Sequence, residues 1–568
     1  MRKVLLYICS VFILGGMTSC EDFLDKREDV GLTEDDIFRD YYSLRGFLDQ
    51  SFNQLENVMV MDNWENGRAF VGLFADEMAT TDNSSAVFTL HSGNWLSNAK
   101  SNKTFEIGNA GSTAISRSYK ALRINNRIIN DIDKAPLTPE QKNEILGQAY
   151  FYRSWFYFQI IKRYGGMPII DKVFEGGDDD IPRMTYHESH DWMMEDIQKA
   201  IYMLPDSWDD PNYGRPTKIA AMALKEWAQL FDASPLMQND LNSTENKGYD
   251  TERAKSAAKS AYEVIRYMDG SKSAPYPYGL ASKEEYTNVF YFKYPPVHQP
   301  EYIWVKRQFP NAANQNQKRT IRTFWQYEDL AFGSGPDGNS MCCPSLNIVN
   351  MFDKKGADGI YYPIDDPRSG YALDYDHKPF EDRDPRFYNN ILLPGTTWGH
   401  YADGRTYYIT TYKGGAAYQH MLTQKDCNKR MFTGFMCKKF MWPECNQYLE
   451  KNNPNCWWDY RFLTIYIRAS QIYLDYAEAL FEGCGSATAT IEGCPISAAE
   501  AINILRRRIG LTDLPSDIVA DPDKFRAAYR RERAVELMFE NHRWWDIRRW
   551  MICGKGQDAD QTQFHGMD

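Results

Sequence analysis

Residues 530–550 read RRERAVELMFENHRWWDIRRW, with glutamates at 532, 536 and 540 and arginines at 530, 531, 533, 543, 548 and 549. The periodicity predicts one helix from Pro522 to Trp550. Residues four apart share a helix face, so Glu532, Glu536 and Glu540 are expected to line up. Arg533 precedes Glu536 by three positions and Arg543 follows Glu540 by three, which predicts helical ion pairs. Glycoside hydrolysis needs two carboxyl groups flanking a sugar, whereas carboxylates on adjacent turns of one helix point the same way. The stretch therefore reads as a structural network, and Trp544 and Trp545, in helical register, read as core. Asp382, Arg383, Asp384 and Arg386 are expected to clamp a turn in the same fashion.

Upstream, the N-terminal half is helical. Leu44, Phe47, Leu48, Phe52 and Leu55 trace one amphipathic face. A second helix is expected over 140–164, opened by Thr138 and Pro139 and stopped by Gly165, Gly166 and Pro168. Others are expected over 190–204, 218–231, 251–267, 461–481 and 498–509. Trp155 and Trp227 fall in these registers and read as core. From about 270 to 454 helical periodicity gives way to frequent Pro and Gly, with 344–353 the clearest short helix. A structureless tract of that length in a compact protein is usually functional. The reading is a mostly α fold in which paired helices of tetratricopeptide type support a loop-rich lobe. The scaffold covers about 30–270 and 455–552, with the lobe at 270–455.

At the other end, Arg2 and Lys3 precede the apolar run Val4–Leu14 and the small residues before Cys20. This order is that of a secretory leader too short to span a bilayer permanently. A cysteine at the cleavage point resembles a bacterial lipobox, which implies lipidation at Cys20 and a mature chain of one domain over 20–568. Two or more acyl chains anchor stably where one is marginal. The acidic positions Glu21, Asp22, Asp25, Glu28 and Asp29 resemble the export tag of lipoproteins displayed outside a Gram-negative outer membrane.

Lys and Arg number 65 against 77 Asp and Glu, a net charge of −12 that becomes −14 once Arg2 and Lys3 leave with the leader. An acidic chain without a basic stripe is a poor nucleic-acid binder. Eleven cysteines occur, of which nine remain after Cys9 and Cys20, so at least one is unpaired within the chain. Cys484 with Cys494, and Cys437 with Cys445, bracket segments that a disulfide can staple. No C-x-x-C pair occurs, Cys342 and Cys343 are adjacent, and His187 and His190 read as ordinary surface or core residues, so no metal or cofactor is expected. Asp358, Asp365 and Asp366 have calcium-ligand chemistry but read as solvated. The metalloprotease, nucleophile-elbow, P-loop and dinucleotide motifs are missing.

Residues 530–550, together with AYFYRSWFYFQIIKRYGG (149–166), DRDPRF (382–387), IYLDYAEAL (472–480), AINILRRRIG (501–510) and CEDFLD (20–25), resemble the SusD/RagB family. These are surface glycan-binding lipoproteins that partner TonB-dependent transporters. The resemblance implies four tetratricopeptide-like helix pairs and no catalysis. It also implies a lid over a SusC-like transporter barrel that captures an oligosaccharide outside the cell and hands it on. Some members take peptides, so a peptide-binding member is the nearest alternative. An α-helical lipoprotein glycoside hydrolase is a more distant one, and a scaffold that only stabilises the transporter is another.

A pyranose stacks its C–H face on a flat ring and offers hydroxyls to amides, carboxylates and Arg. Two polar, Gly- or Asn-rich stretches combine these groups. One holds Asn94, Trp95 and Asn98. The other runs from Asn311 through Asn314, Gln315 and Asn316 to Arg322, Phe324, Trp325, Gln326 and Tyr327. Family members place ligand contacts in loops at roughly these two regions. Trp64, Trp398 and Tyr401 are secondary candidates of the same type.

Overall fold

The computed structural model describes residues 33–56, 71–79, 114–174, 180–239, 245–291, 296–307, 343–374, 378–400, 406–415, 433–440 and 463–552. The fold is mostly helical. In chain order the first helices are α1 (Glu34–Phe38), α2 (Tyr41–Gln54), α3 (Ala114–Asp131), α4 (Pro139–Tyr164), α5 (Tyr186–Met203), α6 (Lys218–Ala233) and α7 (Thr251–Gly270). The lobe adds only short helices, α8 (Leu346–Asn350), α9 (Tyr371–Asp374) and α10 (Pro385–Asn390). The C-terminal set is α11 (Ala469–Cys484), α12 (Ala498–Arg508), α13 (Ser516–Ala520), α14 (Pro522–Glu536) and α15 (Arg543–Arg549).

Side-chain caps start most of the long helices. Thr138 and Thr185 each form a reciprocal capping box, with Gln141 and Glu188 respectively. Asp40, Thr217, Asp250, Ser497 and Asp521 accept from first-turn amides in the same role. The box at Thr185 starts α5 four residues before the expected 190. Gly165, at φ 76°, ends α4, and a Cβ at Gly166 would overlap the carbonyl of Met184. That pair of glycines lets the chain turn and run back against its own next segment.

The helices stack in chain order as four pairs, α2 with α3, α4 with α5, α6 with α7, and α11 with α12. Adjacent pairs also touch, and α7 packs directly on α11 although residues 271–468 lie between them. The axis of the core is α4, buried from Phe151 through Arg163. Trp155 meets Trp304 and Tyr466 edge to face at centroid distances of 4.6 and 5.3 Å, and lies 6.0 Å from Trp227. Trp155, Trp227, Trp544 and Trp545 are all buried, as their register predicts.

Among the described residues strands are few and paired in twos, β1 (Met78–Ala79) with β3 (Cys343–Pro344) and β6 (Ile391–Leu392) with β9 (Met436–Cys437) among them. The longest pair, β2 (Tyr302–Arg307) and β10 (Leu463–Arg468), is antiparallel, with irregular register at Ile465–Arg468. Residues 463–468 are therefore strand where a helix was expected. Thr464, Ile465 and Ile467 are β-branched and all six residues are buried, a fully covered strand whose continuous apolarity reads like helix. In the lobe, β4 (Lys354–Lys355) pairs with β5 (Tyr361–Tyr362), and β7 (Thr397–His400) with β8 (Thr406–Tyr408).

The C-terminal stretch also departs from its expectation. The helix breaks after Glu536, Phe539 and Asn541 adopt left-handed backbone (φ 63° and 68°), and a second helix starts at Arg543. Glu540 is thus off the helix that carries Glu532 and Glu536. Lys439 holds the break by donating to the carbonyls of Glu536 and Met538, and Glu77 accepts from the Phe539 amide. The arginines pair across the fold instead of along the helix. Arg533 bonds Asp475 and Asp546, and Arg543 grips Asp76 with two bonds of 2.7 and 2.8 Å.

Arg468, at the end of β10, is the hub. It donates to Glu301 and Glu536 (both 2.9 Å), to both oxygens of Glu540 (2.7 and 2.8 Å) and to the Glu536 carbonyl (2.7 Å). Arg508 reaches Glu536 at 2.6 Å, and Arg386 joins Asp384, Glu532 and Glu536. Asp384 caps α10, so the 382–386 motif both turns the chain and ties it to α14. Among the described residues six cations (Arg386, Arg468, Arg506, Arg508, Arg531, Lys439) face six carboxylates (Glu301, Asp353, Asp384, Glu532, Glu536, Glu540). Burial alone would raise the Glu536 carboxyl; Arg508, Arg468 and Arg386 overcome it and hold the group well below its ordinary range.

Two measurements follow. Arg468→Met leaves Glu536 and Glu540 buried with fewer partners and is expected to cost about 3–5 kcal/mol, read from the denaturant midpoint; a loss under about 1 kcal/mol would show that the network is dispensable. Glu77 behaves in the opposite sense to Glu536. Burial, with Asp76 beside it, raises Glu77 from 4.5 to about 8 despite its bond from Phe539 and the nearby Arg543 and Lys439. Its contribution is full below about pH 4.5 and is lost as pH rises through 8. Glu77→Gln is expected to gain on the wild type between pH 5 and 8, by up to about 1.4 kcal/mol per pH unit. A stability difference that stays flat over that range would contradict a neutral Glu77.

Candidate functional site

Asn94, Trp95, Asn98, Asn314, Gln315, Trp325 and Tyr327 lie outside the described residues, as do Cys20, Trp64 and Tyr401. Trp398 lies on β7. The β7–β8 hairpin and the turn after it also leave Tyr408 (58%) and Tyr412 (49%) exposed, large rings on a loop-rich surface.

The carboxylates nearest to a catalytic pattern are engaged. Glu532 accepts from Arg386 and Arg506, Glu536 from Arg386, Arg468 and Arg508, and Glu540 from Arg468 and Lys439. Each is buried and fixed by at least two cations through charge-assisted hydrogen bonds.

A large cavity of about 770 Å³ lies beside this network. One wall is a stripe of α14, Asp523, Arg526, Ala527, Arg530 and Arg531, spaced three and four apart so that they share a face. Facing it are Leu346, Asn347, Asn350 and Met351 around α8, and Pro363, Ile364 and Asp365 from the following loop. The Asp76–Arg543 pair completes the lining. Arg531 contacts Asp353 at 3.3 Å, Arg526 bonds Glu482 at 2.8 Å, and the Arg530 guanidinium stacks on Trp550 at 4.8 Å. In the sequence Arg530 and Arg531 read only as parts of the C-terminal network; their three- and four-residue spacing from Asp523, Arg526 and Ala527 is the signal that places them on one face.

A second cavity, about 20 Å³, holds no more than a water. Around it His298, at φ 57°, stacks on Tyr276 at 3.5 Å, meets Tyr213 edge-on and bonds Asp210 at 2.9 Å. These rings pack on one another, and the space between them is too small for a ligand of sugar size.

Elsewhere, His190, Asp191 and Asp232 bring ligand-type atoms within 4.8 Å of one another, the one such group among the described residues. Asp232 already accepts from His187 at 2.6 Å and from Arg253, so the charge is balanced by protein groups. Asp366 is fixed by Arg368 and Asp358 by Tyr362 and the Ile360 amide. Cys484 and Cys494 are free thiols and not a disulfide: the Cys494 side chain is buried against Tyr476 instead. Cys437 is buried, and its suggested partner Cys445 lies outside the described residues.

Comparison with known proteins follows the same lines. The model of the SusD family matches residues 300–568, and a second, described as starch-binding associating with outer membrane, matches residues 22–226. No curated protein matches the chain. A SusD-like protein from Bacteroides fragilis is 22% identical over 94% of this chain and 90% of its own, with a TM-score of 0.68. A SusD-like carbohydrate binding protein from the same organism is 21% identical over 91% and 87%, with a TM-score of 0.63. A SusD homolog from Bacteroides thetaiotaomicron is 17% identical over 90% and 86%, with a TM-score of 0.56. At such identities the structures speak for the fold, and the sequence models for the lineage. With both halves matched and the paired-helix scaffold in place, the chain belongs to the SusD/RagB family.

Proposed function

We propose that this chain is a surface lipoprotein, tethered through Cys20 to the outer membrane, that captures an extracellular oligosaccharide and delivers it to a SusC-like TonB-dependent transporter. The observation that carries the reading is the match of both halves of the chain to SusD family models, one of them described as starch-binding and outer-membrane-associated. Capture works by ring stacking and hydrogen bonding from Trp95, Asn94 and Asn98 on one side and Asn314, Gln315, Trp325 and Tyr327 on the other. Delivery works by closure of the protein over the barrel, with the mature chain from Cys20 acting as one unit. The protein binds and does not hydrolyse, a reading supported by the salt-bridged state of Glu532, Glu536 and Glu540. No helix among the described residues is long and apolar enough to cross a membrane, which fits attachment by lipid.

Trp95→Ala and Trp325→Ala are each expected to weaken glycan retention by about 1–3 kcal/mol in affinity electrophoresis or calorimetry. Unchanged retention in both variants would place the site elsewhere, and steady release of reducing ends from the retained glycan would replace binding with hydrolysis. Cys20→Ala is expected to leave the protein unlipidated and absent from the surface of intact cells. Equal antibody labelling of wild type and variant on whole cells would refute the tether.

A further inference from the structure

We infer that the cavity between α14 and α8 is a second saccharide site, selective for the anionic group of an acidic sugar, a carboxylate or a sulfate ester. The inference rests on the glycan-binding reading above but concerns a different part of the molecule.

Its chemistry differs from that of a stacking site. Among the described residues no aromatic side chain lines the cavity; their apolar surface comes from Leu346, Met351, Pro363 and Ile364. What replaces rings is guanidinium. Arg526, Arg530 and Arg531 project from successive turns of α14 along one side. A planar guanidinium binds carboxylate and sulfate through paired N–H groups, whereas a neutral hydroxyl gains little from it. The Arg530 Nε is buried and has no hydrogen-bond partner among the described residues, and the same is true of the Asn350 Oδ1 across the cavity. Buried polar atoms left so are the places where a ligand gains most. One is a donor suited to an anion, the other an acceptor suited to a sugar hydroxyl.

The acids in the lining do not cancel this field. Asp76 is joined to Arg543, Asp523 is 94% exposed at its side chain and bonds Arg526, and Asp365 is exposed. Asp523 and Asp365 thus lie in solvent, where their repulsion is screened, and the buried Asp76 is matched by Arg543, while Arg530 and Arg531 are partly buried. The volume, about 770 Å³, is within the range of ligand sites, about 300–1,000 Å³.

The test compares three oligomers of one sugar by calorimetry on the full mature chain: neutral galactose, galacturonate and sulfated galactose. Either acidic oligomer is expected to bind, with affinity falling as salt rises. Arg530→Gln is expected to weaken that binding by about tenfold and to leave retention of the neutral glycan as it was. Asp365→Asn, an exposed change that no folding defect explains, is expected to strengthen it. Which acidic oligomer responds identifies the group. If neither acidic oligomer binds while a neutral glycan is retained, the inference falls and the capture site at the loops stands. Acidic binding that neither variant alters would also overturn it. If no saccharide of any kind is retained, the glycan-binding reading falls, and this inference with it.

Discussion

A single buried guanidinium, that of Arg468, decides how the lobe and the C-terminal stretch meet. It stands where β10 passes into α11, and it draws in Glu301 from the start of the lobe and Glu536 and Glu540 from the C-terminal stretch. Desolvating so many charges is tolerable only when each is matched and its hydrogen bonds are filled. Here the matching extends through Arg386, Arg508 and Lys439, so the cost of burial is shared over a set that is nearly closed. Such a set fixes geometry more than it adds stability, since apolar side chains of equal volume would hold the segments together as well. Its use is registration: the strand, the helix break at 537–542 and the lobe find their relative positions through it.

The same interaction accounts for the three glutamates of the C-terminal stretch. Three glutamates at four-residue spacing suggest a hydrolytic face, yet the arginines that neutralise them come from segments far away in the chain. Arg386 lies in the lobe, Arg468 at the end of β10 and Arg508 on α12. Intrahelical pairing was the natural expectation for Arg533 and Arg543 and proved wrong, because Asp475, Asp546 and Asp76 approach from other elements. Local spacing identifies which side chains share a face; it does not identify what crosses to meet them.

Legibility therefore divides along physical lines. Helices whose ends are written in short-range chemistry, such as Thr138 with Gln141 or Thr217 before Lys218, were readable to within a residue or two. The strand at 463–468 was not, because burial on both faces erases the alternation that marks a strand. The break after Glu536 was not, because the left-handed residues Phe539 and Asn541 are held by Lys439 and Glu77, groups distant in sequence. The buried tryptophans were readable from register alone. Family motifs gave the class of ligand, whereas the cavity along α14 depends on a facing wall from 346–365 that no local pattern announces.

One consequence of the stacking order reaches beyond this protein's own ligand. Since α11 takes its place against α7 as though it came next in the chain, the long tract between them is an excursion from an unbroken spool. Closing a longer excursion adds only about 0.6 kcal/mol per doubling, so the length of its loops is nearly free to drift. Evolution can rewrite those loops while the rungs beneath keep their grip, provided that the points where the tract is clasped to the scaffold, among them Glu301, Trp304, Arg386, Lys439 and Arg468, are left alone.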